Sequence, residues 1–442
     1  GQLRVGTAPA ADPAKSHHAP PILSSQEPAA RYPQHASSVR STAPPQADAW
    51  IAESIETLGM NAILQAPTLT PGNLVFSARK AGSADHSDPV GPRIARDVYL
   101  PHDAFEGLQE AWQAEHLVAQ ARIFAEATRL DARFESRAMT MSSALILYGI
   151  DTWVRNPPVV YRPAEAPGRG SILPEVSTPF GPVPSTRSKP LIFARRDAIE
   201  ESRQRRSDLN KEGSRLPDRQ PSNEDIIIEP LEQVAVDIAR RQPPLAATAD
   251  VSMVLARLSN FDRRDPQQSR RRERDCRRRL LEMNEKLPTQ HRRLIAEAVL
   301  CAADAGVESH AEGALRWVVL NVLDTDVIRR WFDDKLTSQH EVRVGLERFY
   351  LDMALPKLGV AIEFEGMGKL TAGGSDPGAR IREYFARRDA LMRAGWHYVA
   401  VTYGELFNPV ALAMRLQDEL GRLKVPVQSD ISAVETGMPR AA

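Results

Sequence analysis

Between Arg348 and Leu370 the sequence RFYLDMALPKLGVAIEFEGMGKL alternates apolar and polar side chains, pauses at Lys357-Leu358, and alternates again. A period of two on either side of a short break predicts two strands joined by a tight turn. Phe349, Leu351 and Met353 fall on one face of the first strand, and Tyr350, Asp352 and Ala354 on the other. In the second strand Val360, Ile362 and Phe364 oppose Ala361, Glu363 and Glu365. Symmetric closure at Lys357 and Leu358 sets Asp352 opposite Glu363 and Ala354 opposite Ala361. Two carboxylates side by side repel and destabilise a sheet unless something positive lies between them.

A divalent metal is the economical solution. Carboxylate oxygens with no His or Cys nearby suit a hard cation, Mg²⁺ or Mn²⁺, rather than zinc. Such a cation lowers the pKa of an attacking water and neutralises charge on a phosphate, which is the chemistry of phosphodiester hydrolysis. The small Ala354 and Ala361 leave room for a phosphate. Asp352 and Glu363 are therefore the central acids and metal ligands, with Glu365 as a third acid. Gly366 lets the strand end sharply, and Lys369 follows, where its ammonium can orient the water or meet a phosphate. Upstream, SHAEGALRWVVL reads as a helix with Glu312 and Arg316 one turn apart, so Glu312 either reaches the metal from the helix or is an ordinary acid paired with Arg316.

These features together resemble the PD-(D/E)XK nuclease superfamily, and more narrowly a bacterial family related to the very-short-patch-repair endonucleases. The motifs that carry the resemblance are Ser309 and Glu312, the run Asp352-Met353-Ala354-Leu355-Pro356, Glu363-Phe364-Glu365-Gly366, Lys369, and Arg388-Asp389-Ala390-Leu391 through Gly395-Trp396. They span roughly residues 309 to 405. Glu365 departs from the pattern, since relatives usually carry Asp there and the wider superfamily often Lys. The resemblance implies a restriction-endonuclease-like mixed sheet flanked by helices, acting on DNA as an endonuclease, in nicking, repair or phage defence. The preceding segments, through ARDVYLP, AMTMSSALILYG and EPLEQVAVDIARR, are similar to antitoxins of the AbiE type, which implies a winged helix and a helical domain.

The fold class expected is thus α/β, the nuclease sheet being preceded by a mainly helical α+β arm. Within the 442 residues, residues 1–48 are rich in Pro, Ala, Ser and His and read as a disordered tail. Residues 49–103 read as a winged-helix module or as plain scaffold, with WIAESIETLG helical and RIARDVYLP a strand. Residues 104–290 form a mainly helical domain with a loop-rich insertion at 155–223, in which only PLIFARRD looks like a strand. The nuclease domain takes residues 291–425, and 426–442 form a second disordered tail.

Composition, with 42% apolar and 26% charged residues, is that of a globular chain, and no apolar run is long enough for a membrane span. Two cysteines outside any CxxC or Cys/His cluster argue against a disulfide framework or structural zinc, and the start lacks a secretory pattern, so a cytoplasmic protein is expected. The formal charge is zero, which confines any nucleic-acid footprint to local patches. One is the run Arg263 to Arg279, with nine arginines, from which Arg271, Arg272 and Arg278 are candidate phosphate contacts. Arg387 and Arg388, on the helix IREYFARRDALMRAG, are two more, although a solvated face paired with Glu383 and Asp389 explains them equally simply. DNA is the expected partner, with RNA, a second copy of the chain or a toxin-antitoxin partner as further candidates. The competing functions are a non-catalytic DNA-binding transcriptional regulator of antitoxin type and a toxin-like RNase.

Overall fold

The computed structural model describes residues 91–95, 98–128, 137–163, 170–191, 227–287, 290–365 and 377–436, together with the two-residue strand at 75–76. All of them belong to one compact unit, Ala62–Ala442. The expected tail at 1–48, the helix WIAESIETLG, the stretch of PLIFARRD beyond residue 191, and Lys369 lie outside the described residues.

The arm begins with a small antiparallel sheet of β1 (Val75–Phe76), β2 (Arg93–Ala95) and β3 (Val98–Tyr99), in the order β1-β3-β2. The single strand expected at RIARDVYLP is instead a hairpin, β2 pairing with β3 across residues 96–97. Helix α1 (Ala111–Thr128) follows a separate 3₁₀ turn at residues 102–105. Its Leu117, Val118, Ile123 and Phe124 are buried against β4 (Arg137–Met139) and α2 (Met141–Leu147).

The 155–223 region holds more strand than expected. It contains β5 (Val159–Pro163), β6 (Ile172–Leu173), β7 (Val176–Thr178), β8 (Gly181–Val183) and β9 (Thr186–Pro190), and with β10 (Ile227–Ile228) these build a sheet in the order β10-β4-β5-β9-β6 beside the β7-β8 hairpin. Proline-rich chain lacks donors for its own ladder, and a single side chain makes good the deficit. Arg122, on α1, is almost completely buried and donates to Asn156 Oδ1 (2.8 Å), Pro174 O (2.6 Å) and Pro184 O (2.9 Å). Burial lowers its pKa to about 10.

Strand β10 turns at Pro230 into α3 (Leu231–Arg241), whose Leu231, Val234, Ala235 and Ile238 are buried. Next come α4 (Pro244–Ser259), α5 (Pro266–Lys286), α6 (Gln290–Ala302), α7 (His310–Val322) and α8 (Thr325–Phe332). On α6 Val299 and Leu300 enter the core, whereas Leu294 is 37% exposed. Helices α4 and α7 approach closely because Gly313 faces Ala249; a Cβ at Gly313 would lie 2.9 Å from the Ala249 Cα.

The last sheet has the order β11-β12-β13-β14, from β11 (Thr337–Val344), β12 (Glu347–Leu355), β13 (Val360–Glu365) and β14 (His397–Thr402). The first two pairings are antiparallel and β13-β14 is parallel, its crossover made through α9 (Pro377–Arg393). One face, with Met353, Leu355, Val360, Ile362, Val399 and Val401, packs with α7 and α10 (Pro409–Arg422) in one core. Beyond α10 the chain is not a tail up to residue 436. Val427 bridges Leu323, and a short helix α11 (Ala433–Thr436) buries Val434, whose carbonyl accepts from the Trp317 indole N–H at 3.1 Å. The fold is therefore mixed α/β.

Candidate active site

Strands β12 and β13 pair as the alternation requires. Ala354 faces Ala361 and Met353 faces Ile362, with the turn closed by Gly359 at φ +63° and by its N–H to the Pro356 carbonyl (3.3 Å). Past that point the ladder changes character. The Asp352 N–H donates to Glu363 Oε1 at 3.1 Å, and the Phe364 N–H donates to Asp352 Oδ2 at 2.8 Å. Each acid thus supplies an acceptor to the backbone of the opposite strand, and the two carboxylates fill the place of the main-chain bonds. Both are buried, Asp352 at 6% exposure and Glu363 at 4%.

The expected sharing of faces fails at this same residue. Leu351 does not join Met353 but packs with Ala354, Ala361, Val342 and Leu391 in a second, smaller core under α9. The other neighbour of β12 shows why. On β11, Ser338 pairs with Met353 and His340 with Leu351, while Gln339, lying opposite Asp352, has φ +53°. A left-handed residue inside a strand takes its own groups out of the ladder. Asp352 therefore sits where regular pairing lapses on both sides.

Helix α9 lies over the acids. Arg387 Nη2 donates to Glu363 Oε2 (2.9 Å) and to the Tyr350 carbonyl (2.7 Å), whereas its buried Nε has no hydrogen-bond partner. Tyr384, one turn earlier, donates its hydroxyl to Glu365 Oε1. Burial raises the Glu365 pKa above the usual carboxylate range, Arg388 opposing and Glu405 adding to the effect. The Arg388 guanidinium rests 5.7 Å from the Tyr398 ring centroid. Burial raises the Tyr398 hydroxyl pKa, and the charges of Glu363 and Glu365 raise it further. The spacing of Tyr384, Arg387 and Arg388, at i, i+3 and i+4, is a helix-face signal that picks out Tyr384 from sequence, though not its partner.

Glu312 has a defined place at the start of a helix. It is the third residue of α7, where Ser309 caps the helix. Its carboxylate accepts from the Glu308 N–H (2.8 Å) and the Ser309 hydroxyl (2.9 Å), while the Ser309 oxygen accepts from the Glu312 N–H (3.2 Å). That is a capping box, and it satisfies the orphan donors of a helix start. Nor does Arg316 pair with Glu312; it is buried and reaches Asp304 at 3.4 Å and the Ala302 carbonyl at 2.8 Å. Among the described residues no group of three or more His, Cys, Asp or Glu side chains is arranged to hold a metal ion.

The arginine run divides by helix face. Arg272, a candidate phosphate contact, is spent inside the protein on the Ser259 (2.7 Å) and Asn260 (2.8 Å) carbonyls at the end of α4. Arg270 and Arg277 are likewise internal, held by Glu273. Arg271 and Arg278, two turns apart, are exposed, Arg278 beside Asp275 at 3.3 Å. Just before α5, Arg263 stacks on Tyr350 of β12 at 5.0 Å, joining the run to the strand that bears Asp352.

The donor set of the two central acids, carboxylate oxygens without His or Cys, is the chemistry that a hard divalent cation takes. One oxygen of each is engaged by the opposing backbone, and Mg²⁺ commonly takes one or two carboxylates and completes its shell with water. Glu363 Oε2 is the oxygen held by Arg387. Comparison of the chain with protein-family models, with curated proteins and with solved structures gives no match in any of the three.

Proposed function

We propose that this chain is a divalent-cation-dependent endonuclease that hydrolyses phosphodiester bonds in DNA. The observation that carries the reading is the buried cross-strand pair Asp352 and Glu363, interleaved with the opposing backbone under an arginine-bearing helix. Asp352 and Glu363 would hold Mg²⁺ or Mn²⁺. When bound, the cation supplies a water of lowered pKa and neutralises charge at the phosphate. Glu365, fixed by Tyr384, is assigned to the water's proton, Lys369, by its place in the sequence, to orienting that water or meeting a phosphate, and Glu312 to the cation. Arg387, Arg388, Arg271 and Arg278 are assigned to phosphate contacts, while Arg272 keeps a structural role.

Among the described residues no helix is long and apolar enough to cross a membrane. The engagement of both acids by opposing backbone N–H groups favours a second reading, a DNA-binding regulator whose acid pair is structural.

Incubation of the protein with supercoiled plasmid in Mg²⁺ and in EDTA separates the two. We expect Mg²⁺-dependent relaxation or linearisation, reduced by roughly a hundredfold or more in Asp352→Asn and Glu363→Gln, which keep the acceptors that the backbone needs. Duplex binding without cutting would establish the regulator instead. Cleavage of structured RNA alone would make the enzyme a ribonuclease.

A further inference from the structure

We infer that Arg387 is a displaceable counter-ion: it holds Glu363 while the acid pair has no metal, and yields that oxygen to the divalent cation. The inference rests on the nuclease reading and adds to it an order of events.

Three observations lead to it. First, Arg387 Nη2 is bonded to Glu363 Oε2, the one oxygen of that carboxylate not engaged by the Asp352 N–H. A cation held by Asp352 and Glu363 would draw on this oxygen, so guanidinium and metal would compete for it. Second, Arg387 is poorly satisfied where it rests, since its Nε is buried without a hydrogen bond. An unpaired buried donor raises the free energy of that position and so eases departure. Third, its side chain is about a third exposed at the outer side of the pair, and its other anchor is the neutral Tyr350 carbonyl. A guanidinium leaving Glu363 from there moves toward solvent.

Charge gives the order of events its direction. A divalent cation held by the pair would repel the Arg387 guanidinium. An incoming phosphate supplies the anion it lost, and a planar guanidinium suits a phosphate at least as well as a carboxylate. Arg387 is in these terms a positioning residue, holding Glu363 Oε2 in place before the metal arrives.

Mn²⁺ titration by calorimetry and by the paramagnetic signal of free Mn²⁺, without nucleic acid, tests this directly. Arg387→Gln should bind Mn²⁺ roughly fivefold or more tightly than the unsubstituted protein, and cut plasmid more slowly despite that gain. Arg387→Lys, which restores the charge, should return the affinity toward the starting value. Binding in Arg387→Gln that is equal or weaker, while Asp352→Asn abolishes it, would overturn the counter-ion role and leave the nuclease reading intact. Absence of Mn²⁺ binding in every form would remove both.

Discussion

Gln339 is the residue whose backbone is least expected where it stands. A glutamine at φ +53° in the middle of β11 carries the left-handed penalty of an L-residue, about 1–2 kcal/mol. Its position opposite Asp352 gives the strain a purpose, because regular pairing there would occupy the main-chain groups around the acid. Gln339→Val should therefore lower stability by about 1–2 kcal/mol, and Gln339→Gly should leave it unchanged or higher. Denaturant midpoints of the two variants check this, and equal midpoints would dismiss the strain. None of it is legible in the sequence, since glutamine has no special liking for that conformation. Asp352 and Glu363 were legible to the level of register, because the turn and the alternation leave a single symmetric pairing. That their carboxylates bond to backbone was not, nor that Leu351 and Met353 part company, because both follow from the lapse at Gln339.

Among the elements, the reading from sequence succeeded where periodicity was uninterrupted. The turn at Pro230 into α3 and the strands β12 and β13 are examples. It failed in the proline-rich stretch from Val159 to Pro190, where local rules favour loop. The strands there depend on a donor 30 to 60 residues away in the chain, the buried guanidinium of Arg122, which no local window contains. Replacing it by an apolar residue of similar length leaves the Pro174 and Pro184 carbonyls without that donor. Arg122→Met should cost about 3 kcal/mol and expose the β7-β8 hairpin to limited proteolysis between residues 170 and 190. Cleavage at an unchanged rate would show that the hairpin stands without the guanidinium. The arginine run likewise looked uniform in sequence. In the fold, Arg270, Arg272 and Arg277 turn inward while Arg271 and Arg278 stay outside, a division that depends on which carbonyls and acids the neighbouring helices present.

For the whole molecule, the arm and the last sheet meet at a buried ion network. Asp304, after α6, bonds to Arg270 (2.6 Å) and lies 3.4 Å from Arg316, while Arg270 donates to the Ser338 carbonyl (3.1 Å) and Arg316 to the Ser338 hydroxyl (3.3 Å). Burial alone would raise the Asp304 pKa, but Arg316 and Arg270 outweigh it and hold it at about 2. A carboxylate depressed in the folded state adds stability above its unfolded pKa, near 3.9, and loses it as pH falls toward the folded value. Acid unfolding should therefore include a component between about pH 4 and pH 2 that vanishes in Asp304→Asn, a variant that should also lose about 3 kcal/mol or more at neutral pH. Thermal scans across that range decide the matter, and an unaltered acid limb would contradict the assignment.

The same network bears on inheritance. Arg270 belongs to α5 and Ser338 to β11, so a gene fragment beginning at residue 291 would carry Asp304 and Arg316 away from the guanidinium that completes them and completes the strand beside Gln339. The last third of the chain is consequently not a cassette that recombination can move alone. A fusion that transplants it intact must bring the helices from Pro244 onward.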